Sequence, residues 1–232
     1  MEQSTQAQRL GGEFLGTAFL LATVIGSGIM GERLSGGNVA IALLGNTLPT
    51  GAILFVLITM FGPISGAHFN PAVTAVFAMS KELSASEAIK FVIAQVLGAI
   101  VGVLAAHMMF DETVLQISTK LRAGPAQWFS EWVAAFGLVL TISLTIKSNR
   151  AAIPASVGLY ITAAYWFTAS TSFANPAVTI ARALSNTFAG IRPHDVVPFI
   201  IAQMLGAVAA AYTCRRLTIR QHMLSSIKDP AE

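Results

Sequence analysis

The sequence predicts an all-α membrane protein of six transmembrane helices and two re-entrant half-helices, arranged as an inverted repeat. Three observations predict it. Of 232 residues, 54% are hydrophobic and only 11% are charged, whereas ordinary globular domains carry about 25% charged residues. Six stretches are long and apolar enough to cross a bilayer, and two more are apolar but too short. Several short strings recur in the same order in both halves of the chain.

Composition narrows the function classes. A chain this apolar has lipid as its natural solvent. The net charge of +3 is small and dispersed, so no nucleic-acid partner is expected. The single cysteine, Cys214, allows no intrachain disulfide. No His or carboxylate spacing suggests a metal site. No cofactor motif and no nucleophile–base constellation suggests an enzyme.

The predicted spans are about 11–31, 39–60, 84–107, 128–148, 153–170 and 195–214. The first ten residues are polar and lack the apolar core of a cleavable signal, so the first stretch is read as a span. The short segments, 69–79 and 175–185, each follow a turn-rich stretch and read as re-entrant half-helices. Irregular backbone at membrane depth is tolerated only where it is buried in protein or lines a polar cavity. Six spans place both termini on one side. Nine Lys and Arg fall on that side and five on the other, so both termini are expected in the cytoplasm, with the chain in a bacterial inner membrane. One channel domain covers 1–232.

The repeat halves are about 11–107 and 128–214. Asn70-Pro71-Ala72-Val73-Thr74 matches Asn175-Pro176-Ala177-Val178-Thr179, and Ala94-Gln95-Val96-Leu97-Gly98-Ala99 matches Ala202-Gln203-Met204-Leu205-Gly206-Ala207. Glu13-Phe14 opens the first span as Glu131-Trp132 opens the fourth. Three spans per half give the halves opposite topology, which puts the functional site at the midplane between them.

Asn favours the N-cap and Pro the first helical position, so each triplet is a helix start. Each start carries about half a positive charge, and two facing one constriction repel cations. The Asn side chain can cap its helix through oxygen and offer its NH₂ to a solute. The preceding loop, Gly66, Ala67 and His68, can present carbonyls as a polar track. Small neutral molecules that donate and accept hydrogen bonds suit such a passage, while ions lose hydration without replacement.

These strings, with Ser65-Gly66-Ala67-His68-Phe69 before the first triplet, resemble the aquaporin superfamily of major intrinsic proteins over about Gly11 to Tyr212. The resemblance implies a right-handed bundle, a homotetramer with one pore per subunit, and passive conduction of water or small uncharged solutes across the lipid bilayer, without a cofactor. Family glutamates that brace the re-entrant loops match Glu13 and Glu131; a proton relay is the sharper alternative. Four family filter positions carry over to Thr50, Ala163, Ser172 and Val178, with Tyr165 and Trp166 close to the second.

At the last position water-selective and glycerol-conducting members keep an arginine, which is absent here. Its loss implies a wider constriction. The expected solutes are glycerol or neutral metalloid species such as arsenous acid and methylated arsenicals, with some water permeation. A water-selective pore is the alternative within the family, and a coupled secondary transporter the alternative outside it. Arg182, four residues after Val178, is read either as an outer-vestibule charge or as a residue facing headgroups or the next subunit. His68 is a packed neighbour of its loop or a pH gate. His107, His194 and His222 are placed at membrane edges or in solvent.

Overall fold

The computed structural model describes residues 4–228, with side chains as far as Leu217. Among the described residues all regular structure is helical: α1 (Gln6–Leu34), α2 (Val39–Ser65), α3 (Pro71–Met79), α4 (Ala85–Met109), α5 (Pro125–Ser148), α6 (Ile153–Phe167), α7 (Pro176–Arg182) and α8 (Pro193–Lys228). Local chemistry sets the ends. Thr5 and Gln8 form a reciprocal capping box on α1, and Asn38 and Ser84 cap α2 and α4 through their side chains. Each satisfies N–H groups that a helix start leaves orphaned. Gly66, at φ 92°, ends α2 in the left-handed region that glycine enters without steric cost.

Among the described residues five helices are long and apolar enough to cross a membrane: α1, α2, α4, α5 and α8 up to Leu217. The remaining predicted span, α6, has only 15 residues, a rise of about 22 Å against a hydrocarbon core of about 30 Å. It stops at Phe167 because Thr168 is already extended and the chain turns into the second re-entrant segment. His222 lies beyond the residues with described side chains. The half-helices α3 and α7 begin at the two prolines, immediately after their capping asparagines.

Packing follows the repeat. In the first half α1 lies against α2 and α4; in the second α5 lies against α6 and α8, and α2 meets α6 across the halves. Each half-helix also packs on the other half, α3 on α8 and α7 on α4. The recurring glycines explain the close crossings. A Cβ on Gly98 would strike the Phe14 carbonyl of α1, and one on Gly206 the Trp132 carbonyl of α5. Small residues at these crossings let backbones touch where lipid gives no hydrophobic drive to associate. Large apolar side chains such as Phe19, Phe55, Leu97 and Phe129 face outward, as a lipid solvent permits.

The backbone contact at Gly98 leaves no room for a side chain. Gly98→Val is expected to lower the thermal midpoint of the detergent-solubilised protein, with an overpacking cost of about 1–3 kcal/mol. Gly11→Ala, at a site with open space around it, leaves the midpoint unchanged or higher. Equal midpoints for the two variants would show that the α1–α4 contact yields.

Candidate functional site

The two loops entering α3 and α7 share one backbone pattern. Counting back from each asparagine, the first, third and fourth residues have positive φ: Phe69 (51°), Ala67 (52°) and Gly66 (92°), and Ala174 (49°), Ser172 (49°) and Thr171 (61°). Five of these six are not glycine. A non-glycine residue held there costs about 1–2 kcal/mol, so something must hold the loops in place.

Two buried carboxylates do so. Glu13 Oε1 accepts hydrogen bonds from Ser65 Oγ (2.6 Å) and His68 N (3.0 Å), and Oε2 accepts from Phe69 N (2.7 Å) and Gln95 Nε2 (2.8 Å). Glu131 Oε1 accepts from Phe173 N (2.9 Å), and Oε2 from Ala174 N (2.8 Å) and Gln203 Nε2 (2.6 Å). Each glutamine amide donates onward, Gln95 to Thr74 Oγ1 (2.9 Å) and Gln203 to Thr179 Oγ1 (2.8 Å). The repeated strings therefore encode one constellation twice: acid, glutamine, threonine and two loop N–H groups. Sequence reasoning assigned no role to Gln95, Gln203, Thr74 or Thr179. Their signal was a polar residue recurring at matched places in apolar helices.

The asparagines tie the halves together. Asn70 Oδ1 accepts from Ala72 N (2.9 Å), and Asn175 Oδ1 from Ala177 N (3.0 Å) and Val178 N (3.3 Å). Asn70 Nδ2 donates to Ala174 O (2.8 Å) and Asn175 Nδ2 to Phe69 O (2.8 Å). One N–H of each amide is thus spent across the interface, and the other remains for a ligand. The carbonyls of Gly66, Ala67 and His68 have no donor among the described residues, although all three residues line the central cavity.

That cavity, of about 110 Å³, lies between the halves and includes both asparagines in its wall. One side is polar loop. The other is built from four-residue stripes: Leu138, Ile142 and Ile146 on α5, and Ile153, Val157 and Ile161 on α6. Thr50, Ser172 and Val178 line it, but Ala163 does not; Ala163 is exposed on the outer face of α6. Continuing the α6 stripe by four gives Tyr165, which does line the cavity and donates its hydroxyl to Thr50 Oγ1 (3.4 Å). Ala163 lies two residues from either stripe position, about 200° around the helix. Counting back from Asn175 across an irregular turn missed this, whereas the spacing of Ile153, Val157 and Ile161 would have found Tyr165.

Arg182 is 1% exposed and lines the cavity, so it faces neither headgroups nor a neighbouring subunit. Its Nε donates to Ala189 O, and its guanidinium carbon stacks 3.3 Å from the Phe173 ring centroid. The repeat pairs Arg182 with Phe77 and Phe173 with His68. His68 packs on Phe77 at 4.6 Å, so both loops carry the same stacked pair with different chemistry. His68 Nδ1 also lies 3.1 Å from Thr74 Oγ1.

The segment joining the halves closes over the site. Arg122 is buried; its Nε donates to Gly190 O (2.8 Å) and its Nη1 to Ser170 O (3.0 Å), and its guanidinium carbon lies 4.9 Å from the Phe173 ring centroid. His107, expected at an edge, is fully buried. Its ring joins Val114 O (2.9 Å) to Ser185 Oγ (2.9 Å). Neither residue carried a motif; their placement depends on how the connecting loop folds back, which no local spacing encodes.

Two half-helices, capped by asparagines that bond across a midplane cavity within a bundle of spanning helices, define a membrane channel. The chain belongs to the major intrinsic protein family, whose profile matches residues 1–172 and 151–230. It is 57% identical over 217 residues to Aquaglyceroporin AqpS of Rhizobium meliloti (strain 1021), covering 94% of this chain and 93% of that one. It is 29% identical over 219 residues to Aquaporin NIP6-1 of Arabidopsis thaliana, covering 90% and 69%. Its fold is similar to the X-ray structure of the aquaglyceroporin from Plasmodium falciparum, with a TM-score of 0.70 at 22% identity, covering 90% and 95% of the two chains. Members of the family are channels and not enzymes, and the same holds here.

Two outcomes test this geometry. Glu131→Gln keeps the side-chain shape but turns an NH₂ group toward loop N–H donors. It is expected to cost about 1.5–3 kcal/mol, the worth of a hydrogen bond to a charged group, read as a lower thermal midpoint together with reduced solute flux. Unchanged flux and stability would remove the carboxylate from the loop's support. Lys120, on the connecting loop, donates to Phe188 O (2.6 Å). Burial, then the charges of Arg122 and Arg182, push it down from 10.5 to about 8, with Glu32 opposing. Between about pH 8 and 10.5 the folded protein has released this proton and the unfolded chain has not. Lys120 therefore penalises the fold below pH 8 and less as pH rises. Lys120→Met is expected to raise the midpoint relative to wild type at pH 7, with the gap narrowing by pH 10. A gap that does not change with pH contradicts this.

Proposed function

We propose that the chain is a passive channel for small uncharged solutes larger than water: glycerol, and neutral metalloid species such as arsenous acid and methylated arsenicals, with some water permeation. The observation that carries this reading is the two-sided cavity. Its polar side offers unpaired carbonyls and the spare asparagine N–H groups, and its other side is a continuous apolar wall. A polyol, or a small acid of the type X(OH)₃, places hydroxyls on one side and little to hydrate on the other. Val178 follows the second triplet in the cavity wall, with Thr50 and Ser172 on the same cavity. The 57% identity to a protein named an aquaglyceroporin supports the same choice over a water-selective pore.

The half-helix starts and capping asparagines reject cations in this reading. The chain acts in the bacterial inner membrane as a homotetramer with both termini in the cytoplasm, each subunit conducting independently. Against a coupled transporter, Glu13 and Glu131 already accept bonds from loop and glutamine donors on both oxygens.

The test is stopped-flow swelling of proteoliposomes in water, glycerol, urea and arsenous acid gradients, wild type against Val178→Arg. The wild type is expected to pass glycerol and arsenous acid without saturation, and the variant to lose the larger solutes at least tenfold relative to water. If arginine leaves size selectivity unchanged, Val178 is not in the filter. Flux that needs a proton or sodium gradient would replace the channel by a carrier.

A further inference from the structure

We propose that the outer end of the pore carries a binding subsite for a small monovalent oxyanion of the carboxylate type, built by Arg182 and Ser172, and that the anion binds there as a blocker and does not pass. Two independent observations carry it. Arg182 Nη1 and Ser172 Oγ are both buried without a hydrogen-bond partner, and both residues line the same cavity. Unsatisfied buried polar atoms are rare and costly, and a buried guanidinium more so. A donor-only Nη1 and a hydroxyl that can donate, on the wall of one cavity, are complementary to two carboxylate oxygens.

The second observation is charge. Neither Arg182, Arg122 nor Lys120 forms an ion pair with a carboxylate among the described residues. Arg182 and Arg122 both lie against Phe173, and Lys120 sits 4.6 Å from the Phe188 ring centroid. One carboxylate touches that network directly: Asp195 accepts from Arg122 N (2.9 Å) and pairs with Arg192 (2.8 Å), while Glu32 acts on Lys120, and Glu131 on Arg122 and Arg182, without forming an ion pair. The outer mouth is therefore a cluster of three cations among the described residues, none of them in an ion pair with a carboxylate. At the opposite end of the pore Phe77 stands at the place Arg182 holds in the repeat, and the cation lining the pocket there is Arg150. Beyond the subsite an anion meets the apolar stripes of α5 and α6 on one side and the unpaired carbonyl oxygens of Gly66, Ala67 and His68 on the other, neither of which replaces its hydration, so it stalls.

This inference goes beyond the proposed flux and is tested with two readouts so that each can fail alone. The first is glycerol entry into right-side-out membrane vesicles, with sodium acetate or sodium chloride outside at equal ionic strength, each variant normalised to its own uninhibited flux. Acetate is expected to slow entry while chloride does not. Arg182→Met should raise the half-blocking concentration about tenfold or more, and Ser172→Ala about two- to tenfold. The second is the thermal midpoint of the purified protein, which acetate should raise in wild type and raise less in Ser172→Ala. An absence of glycerol flux defeats the flux reading but leaves the thermal readout to decide this one. If Arg182→Met does not fold, Ser172→Ala decides. Acetate without effect on either readout, or an effect that both variants retain in full, overturns the subsite.

Discussion

Two carboxylates holding two strained loops are the constraint on which the rest depends. The loops carry left-handed residues at membrane depth and leave carbonyls unpaired, a combination that lipid alone would forbid. Each glutamate accepts N–H groups from the two residues just before the capping asparagine. That fixes where each half-helix starts and which way its cap points. The cavity, the cross-tied amides and the position of Val178 all follow from this placement. The glutamines and threonines extend the support from the loop into α4 and α8 on one side and into α3 and α7 on the other. Removing one acid disturbs the start of a helix, a cap and the pore wall at once.

Symmetry ends at the stacked pairs of the two loops. The brace repeats almost atom for atom, and Val73 and Val178 occupy equivalent places on the cavity wall. The stacked pairs do not repeat: His68 on Phe77 in one loop, Phe173 on Arg182 in the other. An arginine absent from the residue after the second triplet is present one turn further along the same half-helix, still on the cavity. The end that carries Arg182 is thus cationic and closely packed, although the residue after its triplet is a valine. The pore is a symmetric frame with chemically distinct ends.

The frame was legible in the sequence because each of its parts is local. Asn-Pro-Ala is a helix start wherever it occurs, apolar length marks a span, and three strings repeated in order give inverted topology. What was not legible depends on contacts between distant segments. The carboxylates were paired with the loops only through a family resemblance; the glutamine and threonine partners needed the fold. Ala163 was misplaced because the count from Asn175 crossed a turn, where residue number no longer measures rotation. Arg122 and His107 looked like loop and edge residues because nothing near them in sequence shows that the connecting segment dips into the mouth. The shortness of α6 was hidden for a similar reason, since Thr168, Ala169 and Ser170, counted into the predicted span, belong to the re-entrant loop.

The amide cross-ties also bear on how the chain is made. Asn70 Nδ2 finds its acceptor at Ala174, 104 residues later, and Asn175 Nδ2 finds its own at Phe69, 106 residues earlier. During synthesis the first half enters the membrane before either bond can exist. Its half-helix must wait with the asparagine Nδ2 unpaired and its face for α8 uncovered until the second half has inserted. The two halves are therefore not modules that fold and then dock. The first re-entrant segment completes its bonding only when the second arrives, which makes the late steps of membrane insertion the ones that commit the chain to its pore.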